Sequence, residues 1–430
     1  MFCQLEVLRH SFPSSVRHIL DELPESLDGT YERILKEIRK PNQGHAHRLL
    51  QCLVAAVRPL QVKELAEFLA FDFDAEGIPK LNPGWRWEDK EEAVMSACSS
   101  LVMIVKDGDS RVVQFSHFSV KEFLTANRLA EPIRDVTRYH IRLDAAHTIL
   151  AEACLGVLLR LDDRVDRDNV ENFPLARYAA QYWPAHARLE NTSSRIKDGM
   201  EYLFNAGKPH FATWLWIYNN DRNGFSMATI SPKKPEAVPL YYAAMLGFRG
   251  LAEHLIAEHP EHVNDRGGRG VTPMHVAARA GHVDILSILH EHGADLEGRV
   301  INGQSPLHRA LMGEKLEAAK CLLDYGADIN ARTDDGRTPL YQAAYYGKLE
   351  STRMLLEHGA RVDAQTDNGE TPLHGAVKDV SYVQAARLLL EHGADVNARD
   401  KKGRTPFQLT DSYQQEVRQL LSEYGAESVE

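Results

Sequence analysis

The pattern of hydrophobic and polar positions repeats itself through the second half of the chain. A phrase of the type Thr-Pro-Leu-His, followed by alanines and a glycine, recurs every 33 or 34 residues from Pro239 to Pro406. A second phrase, of the type His-Gly-Ala-Asp, keeps the same period and follows a leucine-rich segment. Apolar residues at helical spacing in both segments predict two short helices per unit. The chain therefore contains about six repeating units between residues 236 and 430.

The residues that flank these helices account for the repeated phrases. A hydroxyl residue precedes each proline in five units, where it can cap a helix while proline takes the first helical position. These residues are Thr272, Ser305, Thr338, Thr371 and Thr405. Glycine closes the second helix of most units, where a left-handed residue is favoured. The unit resembles an ankyrin repeat, which implies an α-solenoid stabilised by contacts between neighbouring units.

The resemblance to ankyrin repeats also implies a concave protein-binding face. In that family, the residues before the closing glycine of the first helix point toward this face, as do the turn tips. The helix positions here are Met245, Leu246, Arg279, Met312, Tyr345, Tyr346, Lys378 and Asp379. The turn positions are Asp335, Arg337, Asn368, Lys401 and Lys402. Tyr345 and Tyr346 form the central pair, because tyrosine combines a large apolar area with a polar tip.

Histidines recur in the repeats, but their spacing does not indicate a metal site. His275, His308 and His374 occupy one position of the repeated phrase and are expected to form local hydrogen bonds. The phrase "EHPEH" (258–262) is interpreted as the end of a helix. No metal ligand is predicted.

The first half of the chain has a different pattern. Helical periodicity is evident over residues 27–40 and, interrupted by Pro59, over residues 45–71. The apolar runs "LVMIV" and "RVVQF" flank the turn "KDGDS" and predict a β-hairpin. Helices followed by a hairpin predict a winged-helix domain over residues 41–135, and residues 136–226 are predicted to form an all-helical connector. The predicted fold class is therefore mainly α.

The segment "FSHFSVKEFL" (115–124) raises the question of catalysis, because serine, histidine and glutamate lie close together. The pattern also fits a strand that leads into a helix, with Ser119 as the N-cap and Glu122 completing a capping box. No GxSxG elbow accompanies the serine, and nucleophilic catalysis needs a base, an orienting group and an oxyanion hole. The structural interpretation is favoured.

Several phrases of the first half carry a second resemblance. "RPLQVKELAEFLA", "CSSLVMIV", "VVQFSHFSVKEFLT" and "FPLARYAAQYWPAHA" resemble the region that follows the nucleotide-binding core in fungal NACHT-type signal-transduction NTPases. The resemblance implies that residues 1–40 are the helical tail of such an NTPase module. It also implies a nucleotide-sensing position at His117, if an NTPase core is present. The alternative for His117 is a strand-end histidine with local bonds.

The phosphate-binding loop of an NTPase is missing from this sequence. "NAGKPH" and "YYGKLE" contain Gly-Lys, but they lack the earlier glycine and the following Ser or Thr of GxxxxGK[ST]. We therefore expect no cofactor and no enzymatic activity. Two possibilities stay open: the chain is part of a longer protein, or it is a gene product without the NTPase core.

Charge and composition narrow the partner classes. The net charge of −11 disfavours nucleic acid and anionic membranes as partners. No apolar run reaches membrane-spanning length, and the five scattered cysteines favour reduced thiols, so a cytoplasmic location is expected. The leading hypothesis is the sensor half of an NLR-like signalling protein, which binds a protein ligand on its ankyrin surface. The alternative is a stand-alone ankyrin scaffold, and a DNA-binding winged helix is the weaker one.

Overall fold

The computed structural model describes residues 26–130, 136–188, 193–222, 235–411 and 414–427. Two compact units make up the chain, Met1–Pro235 and Glu236–Glu430. Residues 1–25 of the predicted helical tail lie outside the described residues, as do residues 223–234. Among the described residues, no helix is long and apolar enough to cross a membrane.

The first unit opens with five helices and a small sheet. The helices are α1 (Leu27–Glu37), α2 (Gln43–Ala55), α3 (Val62–Glu67), α4 (Lys90–Cys98) and α5 (Phe118–Thr125). The strands are β1 (Leu60–Gln61), β2 (Phe71–Asp72), β3 (Lys80–Leu81), β4 (Val102–Asp107) and β5 (Ser110–Phe115). Strands β4 and β5 form the predicted hairpin, so the winged-helix prediction is confirmed.

The hairpin turns tightly and gains one more strand. Asp107 pairs with Ser110, and Gly108 takes a left-handed φ of 57° in the two-residue connection, as such turns require. Strand β1 pairs with β5 and completes a three-stranded antiparallel sheet, while β2 and β3 pair separately. The sequence pattern missed β1, β2 and β3 because each has only two residues.

Four further helices follow in the first unit, and aromatic side chains fill their core. The helices are α6 (Leu143–Leu158), α7 (Ala176–Ala187), α8 (Ser194–Leu203) and α9 (Pro209–Arg222). The rings of Trp183 and Trp214 meet edge to face with centroids 5.8 Å apart, and Phe204 contacts both. The indole N–H of Trp214 donates to the carbonyl of Ala180 at 3.0 Å. All three aromatic side chains are fully buried, which confirms that they form the core.

The second unit consists of paired helices. The first helices of the pairs are α10 (Pro239–Leu246), α12 (Pro273–Ala280), α14 (Pro306–Met312), α16 (Pro339–Tyr345) and α18 (Pro372–Ala376). The second helices are α11 (Arg249–Glu258), α13 (Val283–Glu291), α15 (Leu316–Asp324), α17 (Leu349–Glu357) and α19 (Val383–Glu391). A 3-10 turn (Phe407–Leu409) and α20 (Gln415–Glu423) form the last pair. The predicted ankyrin solenoid is therefore confirmed.

A buried histidine links each of three ankyrin units to the next, where the ankyrin units are numbered from the first to the sixth along residues 236–430. In the third unit, Nδ1 of His308 accepts a hydrogen bond from the backbone N–H of Ser305 at 3.3 Å. Its Nε2–H donates to the carbonyl of Arg337, the residue before the next cap, at 3.4 Å. His275 and His374 make the equivalent bonds. Burial lowers the pKa of His308 to about 4, so the ring stays neutral at pH 7.

The fourth and last ankyrin units have other residues at the histidine position. Tyr341 occupies the histidine position of the fourth unit, and its hydroxyl donates to the carboxylate of Glu370 in the fifth. Thr338 caps this helix by accepting from the N–H of Tyr341 at 3.2 Å, as predicted. In the last unit, Oε1 of Gln408 accepts from the N–H of Thr405 at 3.0 Å.

The cap at Thr338 can be tested by Thr338→Val, which removes the acceptor but keeps the shape. We expect a loss of about 1 kcal/mol in unfolding free energy. Because neighbouring units stabilise each other, amide hydrogen exchange should also rise in the third and fifth units. Thr352→Val is the matched control, because its hydroxyl bonds a helix carbonyl that already accepts the backbone N–H of Thr352. Unchanged exchange in Thr338→Val would show that the hydroxyl contributes nothing.

The buried histidines predict a pH-dependent stability. His308 has a lower pKa in the folded chain than in the unfolded chain, so the unfolded chain binds more protons as pH falls from about 6.5 to about 4. Stability is therefore lost through that window, by about 2 kcal/mol for His308 between pH 7 and pH 5.

The variant His308→Gln should reduce this loss, because Gln408 shows that glutamine can accept the same backbone bond. The measurement is the urea midpoint of the full chain at the two pH values. An equal pH dependence in His308→Gln and the parent would contradict the account.

Candidate protein-interaction surface

The structure places the predicted binding residues at different depths. Arg279, Met312, Tyr346, Lys378 and Asp379 are exposed at the ends of their helices. Met245 and Tyr345 are half-buried. Among the turn residues, Asp335, Asn368, Lys401 and Lys402 are exposed, and Arg337 is half-buried.

Leu246 is a correction to the predicted set. Its side chain is only 6% exposed, whereas Tyr346, at the matching position three units later, is 45% exposed. Leu246 is withdrawn from solvent, so it stabilises its own unit and offers no contact to a partner. The repeat pattern gives the position of a residue along the helix but does not fix its depth.

Tyr345 is the centre of a cluster of aromatic and cationic side chains. The guanidinium of Arg337 lies 5.4 Å from the centroid of its ring, and Nζ of Lys378, from the next unit, also lies at 5.4 Å. The ring of Tyr346 stands perpendicular to it at 5.1 Å. Both cations are within the range of a cation–π attraction. The sequence prediction named all four residues, and the structure brings them together.

Glu370 anchors this cluster from below. Burial raises the pKa of its carboxyl, but hydrogen bonds from Tyr341 and Lys378 outweigh that effect and leave the pKa lowered. The carboxylate therefore stays ionised at neutral pH, and Nζ of Lys378 lies 3.0 Å from it. Burial raises the pKa of Tyr341 above its ordinary value, so its hydroxyl keeps the proton that it donates. Tyr341 and Lys378 thus both bond the Glu370 carboxylate, and these bonds hold the cluster in one arrangement.

A small pocket lies beside the cluster, between the third and fourth units. Its volume is about 230 Å³. The lining residues are Leu311, Met312, Gln342, Ala343, Tyr346 and Lys348. Met312 is 40% exposed at the rim, and Lys348 is tied to Glu314 by an ion pair. The pocket is the size of one large apolar side chain.

The sequence prediction missed the fourth position of the first helices, which includes Arg309 and Gln342. A signal for it existed, because this position changes from Val276 to Arg309, Gln342 and Gly375 in successive units. The residues around it repeat closely. Variation at one position of a repeating phrase shows that the repeat itself does not fix the residue there.

The structure also brings together His259, Glu261 and His262, with ligand-type atoms within 4.8 Å of one another. Nδ1 of His259 lies 3.2 Å from the carboxylate of Glu261, and Nε2 of His262 lies 3.8 Å from it. All three follow α11, on the 3-10 turn Pro260–Asn264 or just before it. These mutual contacts account for the arrangement, and the prediction of no metal ligand stays a prediction.

His117 lies at the start of α5, where its side chain is the N-cap. Nδ1 of His117 accepts from the N–H of Ser119 at 3.3 Å and lies 2.6 Å from the Ser119 hydroxyl. The prediction of Ser119 as N-cap is therefore wrong by two residues. The Ser119 hydroxyl also contacts the hydroxyl of Tyr31 at 2.8 Å. These bonds agree with the structural interpretation of the segment, and a nucleotide-sensing role for His117 stays a prediction.

Two family models match the chain. The model described as "Ankyrin repeats" matches residues 240–333 and 317–400. The model described as "GPI inositol-deacylase, winged helix domain" matches residues 31–133. The two matches fall on the helix pairs of the second unit and on the helices and hairpin that open the first unit.

Three similar proteins give further context. "Azaphilone pigments biosynthesis cluster protein L" of Monascus ruber is 31% identical over 295 residues, which are 64% of this chain and 61% of that protein. "Alpha-latrocrustotoxin-Lt1a" of Latrodectus tredecimguttatus is 38% identical over 58 residues, 14% of this chain and 4% of the toxin. A crystal structure of an ankyrin repeat domain from Acinetobacter baumannii is 31% identical, with a TM-score of 0.40, and covers 44% of this chain and 98% of its own.

The chain spans about three fifths of the length of the fungal relative and a small part of the toxin. Within the chain itself, a winged-helix domain precedes an array of ankyrin repeats.

Proposed function

We propose that this chain is a non-enzymatic recognition module whose ankyrin surface binds a protein ligand. The observation that carries the proposal is the cluster around Tyr345. Tyrosine and arginine are enriched among residues that dominate binding energy, and here they lie together at the centre of the stack. Preformed ion pairs hold the cluster, so little side-chain entropy is lost when a partner binds.

We further propose that the chain acts as the sensor half of an NLR-like signalling protein. Support comes from the order of domains, a winged helix followed by helices and then ankyrin repeats, which is the order that the resemblance to NACHT-type NTPases implies. In such a protein, a ligand on the ankyrin surface would bias a switch in the nucleotide-binding core. The alternative is a stand-alone ankyrin scaffold, in which the first unit has only a structural role.

The DNA-binding alternative has less support. A recognition helix needs cations that face the nucleic acid. Helix α3 has one lysine, and the carboxylates of Glu64 and Glu67 are buried in ion pairs with Arg58 and Arg86. These pairs belong to the packing within the unit, and the single lysine leaves the helix without the cluster of cations that a recognition helix needs.

Protein binding by the central cluster can be tested with the double variant Tyr345→Ala and Tyr346→Ala. The partner is first captured by the full chain and identified by mass spectrometry, and its affinity is then measured by calorimetry. We expect a loss of at least about 2 kcal/mol in binding free energy, with unchanged helical circular dichroism. Tyr424→Ala is the matched control, because Tyr424 is 41% exposed on the last unit. Full affinity in the double variant would place the binding surface elsewhere.

The missing phosphate loop predicts that this chain alone does not bind nucleotide tightly. Equilibrium dialysis of the full chain against ADP and ATP is the direct measurement. We expect no binding at micromolar concentration and no release of phosphate from ATP. Micromolar binding that His117→Ala abolishes would instead establish a nucleotide site at the start of α5.

A further inference from the structure

We infer that the ankyrin surface selects an acidic segment of its protein partner, with one apolar side chain of that segment in the pocket beside Met312 and Tyr346. Carboxylates of the segment would pair with Arg279 and Arg309 in the neighbouring units. The inference rests on the proposed function, because it names the chemistry of the partner that the same surface binds.

Arg309 and the two arginines that act on it electrostatically lack an acidic partner. Arg269, Arg279 and Arg309 form no ion pair with any carboxylate in the described part of the chain. Four cations on the neighbouring units are paired instead: Arg332 with Asp367, Arg337 with Asp335, Lys348 with Glu314 and Lys378 with Glu370. The charges of Arg279 and Arg269 both lower the pKa of Arg309, so these three cations lie close enough to repel one another. They mark a region where charge complementarity requires an anion from outside.

Arg309 gives the clearest sign of a missing partner. Its Nε is buried and has no hydrogen-bond acceptor among the described residues, while its Nη1 donates to Oε1 of Gln304 at the long distance of 3.4 Å. Burial lowers the pKa of the guanidinium, and the like charge of Arg279 lowers it further. A buried, unsatisfied donor on a charged group is costly. A carboxylate on this surface would satisfy the fork of Arg309 and offset its repulsion from Arg279.

The pocket explains the apolar part of the segment. Its volume of about 230 Å³ holds one side chain of the size of leucine, methionine or phenylalanine, with Met312 and Tyr346 exposed at its edge. Gln342 lines the same pocket, and its buried Oε1 has no donor among the described residues. A backbone N–H of an incoming segment would supply that donor. Apolar contact and hydrogen bonding thus favour a peptide chain over an isolated anion.

The overall negative charge of the chain does not oppose this assignment at contact range. Exposed charges farther apart than about 10 Å are largely screened at about 0.1 M salt. The arginines next to the pocket would act on a bound segment directly, whereas the carboxylates on other faces would slow its approach. Added salt should therefore weaken binding mainly by screening the contacts between the arginines and the carboxylates of the segment. Its effect on the encounter rate should be the smaller one.

The experiment is the selection of a displayed library of random twelve-residue peptides on the immobilised full chain. We expect enrichment of peptides that carry Asp or Glu around a single Leu, Met or Phe. Fluorescence anisotropy then measures synthetic copies of the selected peptides. The double variant Arg279→Glu and Arg309→Glu should weaken binding at least about tenfold, since each charge-assisted bond is worth more than a neutral one.

Arg361→Glu is the matched control, because Arg361 is exposed but lies outside the cluster and should leave the affinity unchanged. Replacing the apolar residue of a selected peptide by serine tests the pocket and should cost a similar factor. The conservative variant Arg309→Lys should keep part of the affinity if charge matters and the fold is intact, which circular dichroism checks.

The outcomes separate this inference from the proposed function. Selected peptides without acidic enrichment, which still lose affinity in the Tyr345→Ala and Tyr346→Ala variant, would overturn the inference and support binding at the cluster. Acidic peptides that bind the arginine double variant as well as the parent would also overturn the inference. A library with no binder sensitive to any of these variants would contradict both.

Discussion

The second compact unit depends on one hydrogen bond that recurs in three of its ankyrin units, from the third residue of the first helix to the residue before the next cap. His275, His308 and His374 donate through Nε2 to a backbone carbonyl of the following unit. The same rings accept the backbone N–H that would otherwise be unsatisfied at the start of their own helix. One buried side chain thus caps a helix within its own ankyrin unit and also fixes the position of the next unit. Because no unit has a core of its own, its position is defined by its neighbours.

The exception to this bond coincides with the candidate binding surface. In the fourth unit, Tyr341 replaces histidine and reaches the side chain of Glu370 rather than a carbonyl. That carboxylate in turn fixes Lys378 beside the ring of Tyr345. A change at a structural position of the repeat therefore organises Tyr345, about one helical turn further along the same helix. This link between the buried bond and the surface cluster gives Tyr345, half-buried and flanked by two cations, contacts that an isolated surface tyrosine lacks.

Much of the fold could be predicted because it follows from local sequence patterns. The period of the prolines, the caps such as Thr338 and the hairpin turn at Gly108 each depend on a few adjacent residues. The surface was harder to predict, since depth and pairing depend on contacts between units. Leu246 and Tyr346 occupy matching positions, yet one is buried and the other exposed. The unsatisfied Nε of Arg309 has no sequence signal beyond the variability of its position. Likewise, the two-residue shift of the cap from Ser119 to His117 follows from how the histidine ring folds back on the helix start.

The central claim is that the middle of the ankyrin array contacts another protein, and site-specific photo-crosslinking tests it most directly. A benzophenone amino acid is placed at Tyr346 in the full chain, and a second sample carries it at Tyr424, which has a similar exposure. After irradiation in cells, the products are resolved by mass spectrometry. The account predicts a discrete crosslinked partner from Tyr346 and none from Tyr424. No product from Tyr346, or the same products from both positions, would contradict it.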